Sequence, residues 1–337
     1  MRNFVFAGAC ALAFSYAQAA CAGGKKHPED HAPIGVMGDH LHKQGEWMVG
    51  YHYQHSRTSG YRNGSNKVSN ASVMSAYGEA ATEMDMGMHM LEIMYGISDD
   101  LTLMVMPQYM VMDMTHQSSH GSGHIHDHTT QGLGDTQLTG LYSIYDQEQA
   151  GKEHKVHVNM GVSLPTGSID KTFVNHHDRV YPLPYQMQFG SGTFDPIIGA
   201  TYNGSSHDWS WGAQTLNTIR LGKNDNGYRL GNKYTATTWI ARTITDFASL
   251  SFRIDGEAWD DVSGRNARLP LTTIAGANPT ELAGERVMAN IGLNLLGDER
   301  LSDQRLAAEF GLPIYQRYSG PQPNMDYRVS LAWQWAF

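Results

Sequence analysis

Apolar and polar residues alternate with a period of two along most of the chain, and helical spacing is scarce. Twelve alternating segments follow from this pattern, at about 46–55, 84–95, 101–114, 133–145, 154–164, 193–203, 207–216, 233–243, 248–258, 285–296, 304–314 and 326–337. Each is near the ten residues that a tilted strand needs to cross a bilayer. The connections alternate too. Short ones, such as "GISDD", "NGSS" and "TDFA", follow the even strands, while connections of roughly ten to thirty residues follow the odd ones. Sorting by parity is what an antiparallel transmembrane barrel requires, with tight periplasmic turns on one rim and long extracellular loops on the other. The pattern predicts an all-β fold, a single antiparallel transmembrane β-barrel of about twelve strands over residues 46–337, both termini periplasmic.

The last strand, "DYRVSLAWQWAF", places Tyr327, Val329, Leu331, Trp333, Trp335 and Phe337 on one face and Arg328, Ser330, Ala332, Gln334 and Ala336 on the other. One face suits lipid and the other a watery lumen. Closing the sheet removes the unpaired edge, which hydrocarbon does not tolerate. The terminal phenylalanine resembles the signal by which bacterial outer-membrane proteins are recognised for assembly, making the barrel-assembly machinery an expected partner alongside outer-membrane lipid.

The same parity serves as a ruler for the interior. Ten of the 18 methionines fall within residues 84–114, at even positions of two neighbouring strands. Side chains alternate across a strand, so Leu91, Ile93 and Tyr95 face lipid. Met84, Met86, Met88, Met90, Glu92 and Met94 then face the lumen, with Met104, Met106, Met110, Met112 and Met114 beside them. Strand one agrees, with Met48 and His52 inward. Three readings of this stripe stay open. Methionine is a flexible filler of irregular interiors, or a greasy wall for an organic solute. Clustered thioethers are also soft ligands suited to Cu(I) or Ag(I). No resident cofactor is required; Cu(I) or Cu(II) enters only as ligand or cargo.

Composition adds an exported, histidine-rich protein. Phe4 to Phe14 behind Arg2 and ahead of "AQA" has the layout of a signal peptide over 1–19. Cys21 is then the sole remaining cysteine, which rules out an intramolecular disulfide. Its lipidation is disfavoured because "QAAC" lacks the usual large apolar residue. Residues 20–45 read as a periplasmic segment, either a stub or a partial plug under the barrel, and contain His40 and His42. The second long loop, "THQSSHGSGHIHDHTTQG", carries His116, His120, His124, His126 and His128 in a Gly/Ser setting, a composition suited to metal scavenging. The formal charge of −9 argues against nucleic acid. No nucleophile elbow or HExxH is present, and "NHHD" at 175–178 is a weak loop cluster, so the chain reads as a non-enzyme.

Three blocks, "GLGDTQLTGLYSIY" (132–145), "VSLPTGSID" (162–170) and "FGSGTFDPIIGATYNG" (189–204), resemble the phenol-degradation (MetA-pathway) transporter family of bacterial outer-membrane barrels. The resemblance implies a barrel that passes small, often aromatic, hydrophobic compounds. The methionine-rich strands look like a distinct branch of that family. Parity places Asp135, Asp195, His157 and Arg253 on the lumen side, as contributors to polarity and selectivity. Twelve strands lie between the eight that side chains fill and the sixteen or more of open porins, which predicts a narrow or partly blocked pore. Function therefore reads as an outer-membrane channel for a small solute, either a soft metal ion or a hydrophobic compound. A non-conducting metal-binding or structural barrel is the remaining alternative.

Overall fold

The computed structural model describes residues 31–118, 125–174, 179–271, 275–297, 301 and 303–337. The signal region, His120, His124 and "NHHD" lie outside the described residues.

The wall is built from β1 (Trp47–Gly64), β2 (Glu79–Ser98), β3 (Leu101–Met106), β4 (Gln108–Ser118), β5 (Ile125–Leu133), β6 (Thr136–Gln149), β7 (Lys152–Leu164), β8 (Asp195–Ser206), β9 (Trp209–Thr218), β10 (Lys233–Thr245), β11 (Ala248–Trp259), β12 (Gly284–Leu296) and β13 (Gln304–Ala336). All pairings are antiparallel, and contact between β1 and β2 closes the ring. β13 passes twice. Its first half pairs with β12 and its second half with β1, and Ala336 N–H returns to the Asp303 carbonyl. β3 and β4 share one pass, as do β5 and β6, and with β13 crossing twice the thirteen strands give twelve passes at the expected places.

Alternation sorts the two faces as polarity demands. On the outside Leu91, Leu103, Val105, Phe252, Ile291, Phe310 and Leu331 are exposed, as lipid-facing side chains must be. On the inside the even positions of β2 to β4 are buried or half-buried.

Two expectations about connections need correction. The eleventh is no long loop, because the strands of β13 extend through it as a hairpin around 319–321. The histidine-rich second loop is largely strand: His116 lies on β4, His126 and His128 on β5, and Met114 pairs with His128. Alternating polar residues can extend a ladder above the membrane, where water satisfies the outer edge.

Pro107 and Gly134–Asp135 explain why this third hairpin divides. Proline has no N–H for the ladder, so β3 and β4 are separate segments of one pass. Below the break β3 pairs with β6, and above it β4 pairs with β5.

Candidate functional site: the barrel lumen

Material fills the lumen from both ends. From the short-turn rim, residues 31–46 enter the barrel, so of the two expectations, stub or partial plug, the contacts match the plug, which is seated within the lumen and not under it. The physical reason is a set of inward polar side chains that accept or donate to its backbone. Gln214 donates to Met37 O, Asn203 to Asp39 O, and Arg305 to Ala32 O, while Thr102 Oγ1 accepts from His42 N–H. His157 Nε2 lies 3.0 Å from Gly38 O. Ala32, Ile34 and Val36 are buried against Trp239, Ala307 and Ala332. Gly35 sits where a Cβ would overlap the Arg253 guanidinium.

His157 and Arg253 therefore serve the plug. Arg253 binds both oxygens of Glu309, at 2.9 and 2.6 Å, and also contacts Asp255 at 3.1 Å. His52 is buried beside Glu92, with Nε2 2.9 Å from the carboxylate, which also accepts from Gln334.

From the outside, the described parts of the connections 165–194, 219–232 and 260–283 fold inward. Phe173, Leu183, Tyr185, Tyr228, Leu269 and Leu282 form an apolar core with Met112 and Met114 of the wall. Asp135 and Asp195, expected as lumen polarity, are buried loop anchors. Asp135 Oδ1 accepts from Gly167 N–H, and its Oδ2 accepts from Ser191 N–H and hydroxyl. Asp195 accepts from Thr193 and Arg220. Gly167 and Gly190 press back to back, and a Cβ on either would overlap the other's backbone. The three sequence blocks thus meet at one clasp.

Between the two fillings runs the methionine wall. Strand pairing sets Met84 opposite Met114, Met86 opposite Met112, Met88 opposite Met110, and Met94 opposite Met104. Directly opposed side chains have Cβ atoms about 5 Å apart, so each pair is a rung of two thioethers. Met48, Met94 and Met104 pack with Leu141 against Leu41 of the plug. Met90 and Met106 are buried, while Met84, Met86, Met88 and Met110 stay half-buried.

The candidate histidines divide. His116 stacks on Phe173 with ring centroids 5.5 Å apart and lies 3.5 Å from Glu79. His40 and His42 sit on the plug with rings 4.8 Å apart. His31, which sequence reasoning left out of the metal candidates, joins them, its ring 4.6 Å from His40. Asp39 lies between, and this contact depends on how the plug folds back. Burial, with the neighbouring His40 and Arg305 charges, holds the His31 imidazole well below its ordinary pKa. Burial opposes ionisation of Asp39, but His40 and Arg305 outweigh it and keep the carboxyl far below its usual range.

A sequence profile of the family described as "Putative MetA-pathway of phenol degradation" matches residues 97–268, just over half of the chain. The chain belongs to this family. The match spans the whole Asp135 clasp, so the family region is the one that anchors the extracellular filling. No curated protein matches the sequence. Among solved structures, an outer-membrane channel from Pseudomonas putida F1 superposes with TM-score 0.58 at 16% identity, covering 90% of this chain and 99% of that one. The transport unit of the autotransporter AIDA-I from Escherichia coli gives TM-score 0.45 at 11% identity, covering 90% and 93%. The P. putida toluene transporter TodX gives 0.39 at 8%, covering 88% and 91%. The first supports the barrel fold alone and, with the lipid-facing belt, places this family member in the outer membrane.

Proposed function

We propose that this family member is a gated outer-membrane channel passing a small apolar or aromatic solute along the methionine wall. The observation carrying the reading is the half-buried group Met84, Met86, Met88 and Met110, of which Met84, Met86 and Met110 pack against the folded loops, so that releasing those loops would bare an apolar wall. Thioether side chains are unbranched and adapt to differently shaped guests, which suits a path that must fit rings without binding them tightly. Both fillings are held by hydrogen bonds to the wall, so opening is a matter of releasing segments and leaves the barrel intact. In this reading passage is diffusive or coupled to a periplasmic partner.

A second reading rests on the register itself. Rungs of paired sulfurs offer Cu(I) or Ag(I) a succession of similar two-thioether sites, which leucine or phenylalanine at the same positions could not provide. The deciding experiment changes Met86, Met88, Met110 and Met112 together to leucine, which keeps the apolar wall and removes sulfur. Uptake of a monocyclic phenol by proteoliposomes and Cu(I) binding are both measured. Unchanged uptake with or without Cu(I) binding in the wild type supports the organic-solute path. Micromolar Cu(I) binding that vanishes in the variant, with no phenol uptake by either protein, overturns it in favour of the metal.

A further inference from the structure

We propose that His31, Asp39 and His40 form a binding site for a borderline divalent transition-metal ion of the Zn2+ class, built into the N-terminal plug and reached from the periplasm. Among the described residues these three make the one group of His, Cys, Asp and Glu with ligand atoms in mutual reach, all within 4.8 Å of one another. His40 Nδ1 is 2.7 Å and His31 Nδ1 4.0 Å from the two Asp39 oxygens.

The donor chemistry is specific. Two imidazoles and one carboxylate suit Zn2+ and its neighbours, whereas thioethers do not, so this site is separate in kind from the methionine wall. Binding needs Asp39 as the carboxylate and both imidazoles neutral, so any proton held on the imidazoles is released to solvent as the ion enters. The His31 Nδ1 atom is buried without a hydrogen-bond partner, and a metal bond would satisfy it.

Access supports the assignment. A cavity of about 320 Å³ is lined by His40, His42, Asp99, Asp146, Glu153 and Lys155. Asp99 lies in the turn between β2 and β3, and Asp146 and Glu153 flank the turn between β6 and β7, so the mouth is at the short-turn rim. Lys43 and Lys155 also line it, against Asp99, Asp146 and Glu153, so the mouth carries only a small acidic excess in favour of cations. Arg305 opposes a second cation nearby, but it is held by Gln334, Asn294 and Ala32 O. Asp39 already accepts from Ala32 N–H at 2.9 Å, so an ion joining His31 to His40 would staple the two ends of a loop that the protein has closed.

The test titrates Zn2+ into the chelator-treated full barrel in detergent by calorimetry, with Co2+ absorption as a spectroscopic check. Wild type should bind Zn2+ at micromolar or tighter affinity with one plug equivalent. His31→Ala and His40→Ala should each weaken that equivalent by at least about tenfold. The Met86, Met88, Met110 and Met112 to leucine variant should keep it, which separates this site from the Cu(I) reading. Zn2+ should also slow hydrogen exchange of residues 31–46 in wild type only. If His40→Ala fails to fold, His31→Ala reports alone, because His31 Nδ1 makes no hydrogen bond that truncation would break. A folded barrel that binds no Zn2+, or binding unchanged in both variants, overturns the site.

Discussion

Ser191 donates both its backbone N–H and its hydroxyl to one carboxylate oxygen of Asp135, each at 2.7 Å. The other oxygen accepts from Gly167 N–H at 3.0 Å, so one side chain ties the end of β7, the return of the 165–194 connection and the break before β6. Asp135→Ala removes three charge-assisted hydrogen bonds, each worth about 1.5–3 kcal/mol. The barrel should still form, since its ladder is untouched. Protease should cut the 165–194 connection faster in the variant, and bilayer conductance should rise; equal cleavage rates in the two proteins would sink the idea of a clasp.

Acid should loosen the outermost part of the same filling. Asp170 accepts from Asn226 at 3.1 Å and Arg268 at 2.6 Å, which joins the three inward-folded connections. The Asn226 hydrogen bond and the Arg268 bond and charge lower its pKa below the ordinary 3.8. A depressed pKa stabilises the ionised, clasped form. That contribution is fully present above pH 3.8 and is lost as pH falls through the lower, clasped value. The groups are exposed, so the effect amounts to a fraction of a kcal/mol, weakened by salt. Conductance recorded between pH 6 and pH 3 should show more frequent opening at the acid end, and Asp170→Asn should open at all pH values alike.

The plug has its own weak point at Gly96. Its N–H donates to Glu46 O and its carbonyl accepts from Gly45 N–H, while a Cβ there would overlap the Lys43 carbonyl. Backbone cannot move aside as a side-chain tip can. Gly96→Ala should cost the seated plug about 1–3 kcal/mol, which raises the unseated population by up to about a hundredfold. Exchange of the amides in 31–46 would measure it, with β-strand amides as the internal standard.

The methionine rungs are expected to be tolerant of shape and intolerant of charge. Met88 and Met110 face each other, and leucine at both should cost less than about 1.5 kcal/mol each. Met88→Asp places a carboxylate on the proposed path. Phenol uptake should then fall severalfold while folding, read from heat-modifiable gel migration, persists; undiminished uptake would mean that solute takes another route.

The wall was legible because lipid and lumen impose opposite polarity on alternate residues. Leu91 and Met90, Trp335 and Gln334, sort by parity with no knowledge of the partners across the sheet. The same rule found Met88 and His52 on the inside. It misread Asp135 and Asp195, because parity gives a side chain's direction and not its partner. Both point inward as anticipated, but loops separated from them by tens of residues come in to meet their carboxylates. Low-complexity composition likewise suggested a loop where His126 and His128 lie on strand, since polar alternation above the membrane looks the same in either state.

By itself the sequence determined the twelve passes, the closed antiparallel order and the inward methionine stripe, all of which follow from local period and from the rule that hydrocarbon admits no free sheet edge. Only the tertiary structure decided what occupies the lumen. His31 meets Asp39 and His40, and Arg253 meets Glu309 beside Gly35, through contacts between segments whose relative placement no period encodes. Such contacts depend on which buried polar groups find partners once the barrel has closed around them.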